Sequence, residues 1–167
     1  MVQHGLLYAA FVSMMYDPTI KNYTIGIVWV IVKPSFSRLG TLKAVVKGAG
    51  LVSVPGLFAF YPAIAVNSMR AVIGFALSGE SMYPSLAFVY FNVTSYTLGD
   101  VFFAWNGVEP EDGNSSLGYN VASWGEYFAA ATDEWGDFWI SGETTTGGPR
   151  TEYANWGTYI ANIPGNA

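Results

Sequence analysis

The residues of this sequence that could carry out catalysis are carboxylates set among tryptophans in the last third of the chain. The carboxylates are Glu126, Asp133, Glu134 and Asp137, and the neighbouring tryptophans are Trp124, Trp135 and Trp139. Glycoside cleavage requires only two carboxyl groups, one of them with a raised pKa, and aromatic rings can both desolvate an acid and stack on a sugar. The alternative is that these acids lie in turns and on solvent-facing strand positions, because the stretch TDEWG (132–136) has the composition of a turn. We favour this alternative and expect no catalytic residues.

A Trp-Gly pair occurs three times in the same region, and its copies begin at Trp124, Trp135 and Trp156. The glycine could allow a bulge that turns the ring outward, as in modules that stack a ligand on tryptophan. In the alternative interpretation the tryptophans fill core volume and the glycines only mark bulges. The pattern leaves both interpretations open. The candidate ligand or subunit contacts are therefore Trp124, Trp135, Trp139 and Trp156.

Other catalytic and cofactor chemistry has little support in the sequence. His4 is the only histidine and there is no cysteine, which excludes thiolate metal sites and a cysteine nucleophile and leaves histidine chemistry with a single residue. There is no GxSxG motif, no Walker loop and no Rossmann fingerprint. The stretch EPEDGNSS (109–116) offers oxygen ligands, but its spacing does not match a calcium loop. We therefore expect no cofactor and no metal ion.

The elements that must position these residues are strand-like. The runs NYTIGIVWVIVK (22–33) and SLAFVYFNVTSYTL (85–98) are rich in β-branched and aromatic residues. The next run, GDVFFAWNGV (99–108), is expected to form a hairpin with 85–98 through a turn at TLGD (97–100). Three further short strands are predicted in the last third of the chain.

Two segments, 37–50 and 61–77, could be helical, although three glycines weaken the first. The uncharged run 48–69 is long enough to span a bilayer, but its two prolines favour buried strands and loops. In total, the sequence predicts about seven to nine strands, separated by turns roughly every 8–15 residues. This pattern is typical of a sandwich or barrel. We therefore predict one all-β domain over 1–167, a jelly-roll-like antiparallel β-sandwich or barrel with at most one or two short helices.

Charge is scarce and unevenly distributed. Charged residues make up 11% of the chain, against about 25% in a typical soluble domain, which suggests that a partner covers much of the surface. Residues 1–79 contain six basic residues and one acid, whereas residues 80–167 contain one basic residue and eleven acids. The division predicts two faces of opposite sign, unless strands from the two halves interleave and mix the charges.

Five of the basic residues fall between positions 21 and 47, where there is no acid. These candidate membrane- or phosphate-facing residues are Lys21, Lys33, Arg38, Lys43 and Lys47. They could contact lipid headgroups or nucleic acid, or they could form a solvated patch. A pI of about 4.6 argues against a dedicated nucleic-acid binder, so we expect no sequence-specific nucleic-acid partner.

In size and texture the chain resembles the small single-β-barrel (jelly-roll) capsid proteins of tailless, membrane-containing icosahedral viruses. The resemblance lies in the strand series 22–33, 85–98 and 99–108, in the glycine- and aromatic-rich last third, and in a short N-terminus that we interpret as mature structure. It involves no specific motif. It implies a self-assembling coat subunit of a virion, whose partners are copies of itself, other capsid proteins and an internal lipid membrane faced by the basic segment.

Two alternatives to the coat subunit remain. One is a carbohydrate-binding or adhesin module that uses exposed Trp-Gly motifs, and it predicts at least two of these rings on one face. The other is a small glycosidase, which would depend on Glu126 or Asp137.

Overall fold

A computed structural model of the chain describes residues 1–111, 124–125, 127–147 and 155–165, and every regular element in these ranges is a β-strand. The strands are β1 (Val2–Gln3), β2 (Leu6–Asp17), β3 (Asn22–Phe36), β4 (Leu42–Val52), β5 (Phe58–Val66), β6 (Arg70–Gly79), β7 (Met82–Asn92), β8 (Thr97–Trp105), β9 (Ala129–Thr132), β10 (Phe138–Thr145) and β11 (Trp156–Ile163). The predicted all-β antiparallel sandwich is confirmed.

The strands form three antiparallel sheets. Sheet A has the order β1-β2-β3-β4, sheet B has the order β5-β6-β7-β8, and sheet C has the order β11-β10-β9. Within each sheet the neighbours are consecutive along the chain, so the described residues form three meanders. A jelly roll, by contrast, pairs strands that are distant in sequence. Sheet B is the middle layer, since sheets A and C both pack against it.

Strand β6 lies at the centre of the sandwich, and its residues from Ala71 to Leu77 are all buried. Ile73 and Phe75 face the core shared with sheet A, whereas Val72 faces the core shared with sheet C. An uninterrupted apolar run is what a strand covered on both faces requires.

The core between sheets A and B is built around Trp29 of β3, whose ring lies 4.4 Å from that of Phe91 between centroids. Gly50 of the adjacent strand β4 makes room for this indole, because a Cβ atom there would lie 2.5 Å from its ring. Gly48 makes room for Tyr96, whose ring would lie 3.1 Å from a Cβ atom at that position. These glycines therefore belong to a strand, and the helix considered for 37–50 is wrong. The segment 61–77, also considered as a helix, forms β5 and β6.

The hairpin between β7 and β8 turns earlier than predicted. Asn92 accepts hydrogen bonds through its side-chain oxygen from the backbone N–H groups of Thr94 and Ser95, at 2.9 and 3.0 Å. Tyr96 has a positive φ of 59°, which completes the reversal at residues 93–96. The TLGD stretch lies within β8, so the predicted turn there is wrong. An asparagine side chain that binds the backbone can start a turn inside a strand-like sequence.

The uncharged run 48–69 forms the end of β4, a connection and β5, as the strand interpretation predicted. The described part of the chain contains no helix that is long and apolar enough to cross a bilayer.

Candidate interaction surfaces

The most unusual surface of the molecule is the side of sheet A that faces away from sheet B. Cross-strand register places three rows of three side chains there: Leu7, Val32 and Val46; Ala9, Val30 and Ala49; and Phe11, Val28 and Leu51. Beyond them, the hairpin of β3 and β4 adds Pro34, Phe36, Leu42 and Ala44. We call these thirteen residues the aliphatic face. None of them is charged, and Phe36 and Val46 are 74% and 61% exposed.

The five predicted basic residues all belong to sheet A or its turns, and all are exposed. Lys33 and Lys43 lie on the hairpin of β3 and β4, Arg38 lies in its turn, and Lys47 lies beside the register shift in β4. These four residues form what we call the basic end. Lys21 lies in the turn between β2 and β3, at the opposite end of sheet A, so the structure separates it from the others.

All the exposed charged side chains of sheet A and its turns are basic. Its single acid, Asp17, is buried and accepts the backbone N–H of Thr19 at 2.8 Å. Strands β1 to β4 pair only with one another, so the two halves of the chain do not interleave in this layer. The basic residues of the first part of the sequence therefore stay together in sheet A and are not mixed with the acids of the second part.

The outward side of sheet C carries a different set of residues. Trp139 of β10 and Trp156 of β11 point to this side and are 43% and 47% exposed. Register pairs Trp139 with Asn162 and Trp156 with Thr145. Because Thr145 lies six positions after Trp139 on β10, the two tryptophans are separated along the strands by about 20 Å at ordinary strand rise. Ile160 lies between them on the same side. We call this surface the tryptophan face.

The remaining two candidate tryptophans lie outside these strands. Trp135 lies in the turn between β9 and β10 and is 80% exposed. Trp124 is half-buried, and its indole N–H is buried without a hydrogen-bond partner. The structure thus exposes three of the four candidate tryptophans.

The three Trp-Gly copies are not three copies of one structure. Gly125 and Gly136 have positive φ values of 60° and 89°, while Gly157 is a residue of β11 without positive φ. Glycine is favoured in the first two positions by backbone conformation. A Cβ atom at Gly157 would instead lie 2.8 Å from the Thr146 side chain. Backbone conformation therefore favours glycine in the first two copies, and packing against Thr146 favours it in the third.

The turn at TDEWG is confirmed, and Asp133 organises it. One of its carboxylate oxygens accepts the N–H groups of Trp135 and Asp137, at 3.0 and 2.9 Å. The other accepts the indole N–H of Trp139 at 2.9 Å. The hydrogen bond from Trp139 contributes most to holding the pKa of Asp133 below its usual value, and the backbone hydrogen bonds lower this pKa further. Asp133 therefore orients an exposed tryptophan ring.

The other candidate carboxylates give little support for catalysis. Asp137 accepts the N–H of Gly165 at 2.8 Å, which is a structural use. Glu134 is exposed in the turn, and Glu126 lies outside the described residues. The glycosidase alternative stays a prediction. Within the described ranges, no group of histidine, aspartate and glutamate side chains could hold a metal ion.

Glu143 of β10 is a perturbed carboxyl group that the sequence did not single out. Burial raises its pKa, a hydrogen bond from the backbone N–H of Gly125 partly offsets this rise, and the charge of Glu111 adds to it. Its second oxygen is buried without a hydrogen-bond partner. No local motif marks this residue, because its partners Gly125 and Glu111 are distant from it in the sequence.

Comparison of the chain with known protein families, curated proteins and solved structures finds no match.

Proposed function

We propose that this chain is a structural subunit that assembles with copies of itself, as the coat subunit of a virion does. The observation that carries the proposal is the aliphatic face. At ordinary strand spacings it measures about 30 Å by 14 Å, a footprint of roughly 400 Å². The largest contiguous apolar patch of a soluble monomer is typically of this order, about 300–600 Å², and is often functional.

Apolar exposure on several sides favours assembly over the binding of a single small ligand. Besides the aliphatic face, β2 and β3 expose Met14 and Tyr23 on the other side of sheet A, where sheet B does not cover them. Phe102 and Phe103 are exposed on β8, the edge strand of sheet B. A subunit that touches several neighbours needs several such surfaces, whereas a binding module needs only one.

The test is sedimentation velocity across protein concentration and salt, with electron microscopy of the same samples. Val46→Glu together with Leu51→Glu places two charges on the aliphatic face, at exposed positions of edge strand β4. We expect the unaltered chain to form defined oligomers, sheets or shells, and the double variant to remain monomeric with an unchanged melting temperature. The matched control, Met69→Glu, changes an exposed apolar residue in the turn between β5 and β6 and should assemble normally.

A chain that stays monomeric at every concentration and salt would contradict the proposal. A double variant that assembles as well as the unaltered chain would show that the aliphatic face is not the contact.

A second candidate function is carbohydrate binding, because Trp139 and Trp156 share one outward side. Asn162 and Thr158 lie between or beside them on β11, and such polar groups can bind sugar hydroxyls next to a stacking ring. Acrylamide should then quench tryptophan fluorescence, and a bound glycan should protect it. The Trp156→Ala variant should lose this protection, whereas full protection in that variant would count against a glycan platform.

A further inference from the structure

A small depression lies at one end of sheet B, on the side of that sheet that faces sheet C. Cross-strand register places Arg70 of β6 beside Asn92 of β7, and Asn92 beside Thr97 of β8. Arg70 projects to the same side of β6 as Val72, which packs in the core shared with sheet C. The row of three polar residues and Tyr90 line the depression, whose volume is about 210 Å³. Asn92 and Thr97 are exposed, so sheet C does not cover this end of the row. We call it the Arg70 depression.

Arg70 is a cation without an acidic partner. Its side chain is half-buried, and its guanidinium carbon lies 5.4 Å from the centre of the Tyr90 ring. Within the described residues the guanidinium group forms no ion pair and no hydrogen bond, so its N–H groups are available to an acceptor. A charged group that loses part of its hydration without gaining an acceptor is unfavourable. An anionic ligand would supply that acceptor.

The groups beside Arg70 are held in place and add a second donor. The side-chain oxygen of Asn92 accepts two backbone N–H groups of the turn that follows, which leaves the NH₂ group of the same amide to donate elsewhere. The hydroxyl of Tyr90 donates to the carbonyl of Pro164 at 3.0 Å, which fixes the ring against which the guanidinium lies. No carboxylate lines the depression. Its fixed polar groups therefore favour an acceptor as ligand.

The absence of a side chain at Gly99 keeps the Arg70 depression open. For every other glycine of the described strands, an added Cβ atom would lie 3.1 Å or less from a neighbouring atom. At Gly99 the nearest atom would be 3.6 Å away, which is an ordinary contact, and φ is not positive. Neither packing nor backbone conformation therefore requires glycine here. Glycine within a strand often marks a place where a ligand approaches the backbone closely.

The charges around the depression favour a carboxylate over a phosphate. Arg70 is the only described lysine or arginine outside sheet A and its turns, so the site neutralises a single negative charge. Burial raises the pKa of Tyr90, Arg70 lowers it and Asp137 raises it, so an acid also acts on this region. Asp100, next to Gly99 in the chain, is exposed. Two nearby acids repel a dianion more than a monoanion, and a planar guanidinium matches the two oxygens of a carboxylate.

We propose that the Arg70 depression binds the carboxylate group of a small acidic molecule. The guanidinium of Arg70 holds the two carboxylate oxygens, the amide of Asn92 adds a donor, and the space over Gly99 takes the body of the ligand. Pockets for drug-sized ligands measure roughly 300–1,000 Å³, so a volume of about 210 Å³ fits a sugar acid or a simple organic acid. The site lies on sheet B, away from the aliphatic face, so a monomer would hold it as well as an assembled subunit does.

Isothermal titration calorimetry with sodium glucuronate tests this site. We expect glucuronate to bind with a Kd on the order of 1 mM, and glucose, which has the same ring without the carboxylate, not to bind. Acetate distinguishes the two sources of the carboxylate. Weaker binding of acetate assigns the site to sugar acids, whereas equal binding assigns it to simple organic acids, and both results support a carboxylate site.

Two variants and a matched control assign the binding to the depression. Arg70→Gln removes the charge and should weaken glucuronate binding at least about tenfold. Gly99→Val places a side chain in the depression and should weaken it to a similar extent. Arg38→Gln makes the same change at an exposed arginine in the turn between β3 and β4 and should bind normally. A melting temperature close to that of the unaltered chain shows that a variant is folded, and Arg70→Gln decides the matter if Gly99→Val is not.

Four results would overturn the proposal: no binding of either acid, undiminished binding in Arg70→Gln, an equal loss in Arg38→Gln, or tighter binding of inorganic phosphate than of glucuronate. The outcome is separate from that of the proposed assembly. A chain that is monomeric in sedimentation but binds glucuronate through Arg70 loses the proposed function and keeps this site. A chain that assembles but binds neither acid loses only the site.

Discussion

Sheets A and C cover opposite sides of the same central sheet, but they are attached to it by different means. Sheet A has strands of up to 15 residues and packs through a broad apolar core around Trp29. Sheet C has strands of at most 8 residues and a smaller core around Phe138 and Ile140. Polar bonds supplement this smaller core: the hydroxyl of Thr144 donates to the carbonyl of Pro84 at 2.9 Å. A short sheet with little apolar area thus depends more on individual hydrogen bonds.

The largest expected effect comes from removing a core ring on either side of β6. Phe75→Ala, on the side of sheet A, and Phe138→Ala, on the side of sheet C, should each lower the free energy of unfolding by about 3–5 kcal/mol. Because sheet C has the smaller core, Phe138→Ala should raise amide hydrogen exchange mainly in β9 to β11. Phe75→Ala should raise it throughout. Uniform exchange in both variants would mean that the two layers unfold as one cooperative unit, and the contrast between them would be lost.

A smaller effect is expected from the polar link between sheets B and C. Asn67 is buried in the turn between β5 and β6, and its amide donates to the carbonyl of Gly136 at 2.8 Å. Its oxygen accepts the N–H groups of Met69 and Arg70, at 2.9 and 2.8 Å. Asn67→Ala leaves these groups without partners and should cost about 2 kcal/mol in chemical unfolding.

The matched change on the side of sheet A is Thr24→Val, which removes one hydroxyl bond to the carbonyl of Leu57 at 3.2 Å. It should cost about 1 kcal/mol. If Thr24→Val were the more damaging of the two changes, sheet C would not depend on polar links more than sheet A does.

The smallest expected effect concerns Glu143 and depends on pH. Because burial raises the pKa of this carboxyl in the folded state, the folded chain binds its proton more tightly than the unfolded chain. The charged carboxylate of Glu143 therefore lowers the free energy of unfolding at pH values above its pKa in the folded state. This loss of stability disappears as the pH falls below the pKa of the same group in the unfolded chain. Glu143→Gln should raise the melting temperature at pH 7 by about 2 °C, with no difference near pH 4. An equal shift at both pH values would assign the effect to packing rather than to charge.

Much of the strand content could be predicted from residue type and alternation, because β-branched and aromatic side chains pack well on a pleated, half-buried surface. The failures have local causes. The glycines at 48 and 50 are compatible with a weak helix or a crowded strand, and only the positions of Tyr96 and Trp29 decide between the two. The early turn after Asn92 depends on a side-chain bond that no pattern of apolar residues contains.

The candidate surfaces were predicted less completely. Exposure of Trp135, Trp139 and Trp156 agrees with the outward interpretation of the Trp-Gly region, but the half-buried Trp124 does not. The basic segment was identified, yet the structure gathers four of its residues at one end of sheet A and places Lys21 at the other. The aliphatic face could not be predicted from the sequence, because its residues belong to three strands and meet only through cross-strand register.

The sequence by itself determined that the chain is built from strands and that its first third is basic and its last third acidic. Only the tertiary structure decided which apolar residues are covered. In β3, Ile27, Trp29 and Ile31 alternate with Val28, Val30 and Val32, so both faces are apolar and alternation cannot choose between them. Sheet B covers the face with the larger side chains, where Gly50 of β4 leaves space for the indole ring. The valines are therefore left on the outer face, the surface through which we propose that the chain assembles.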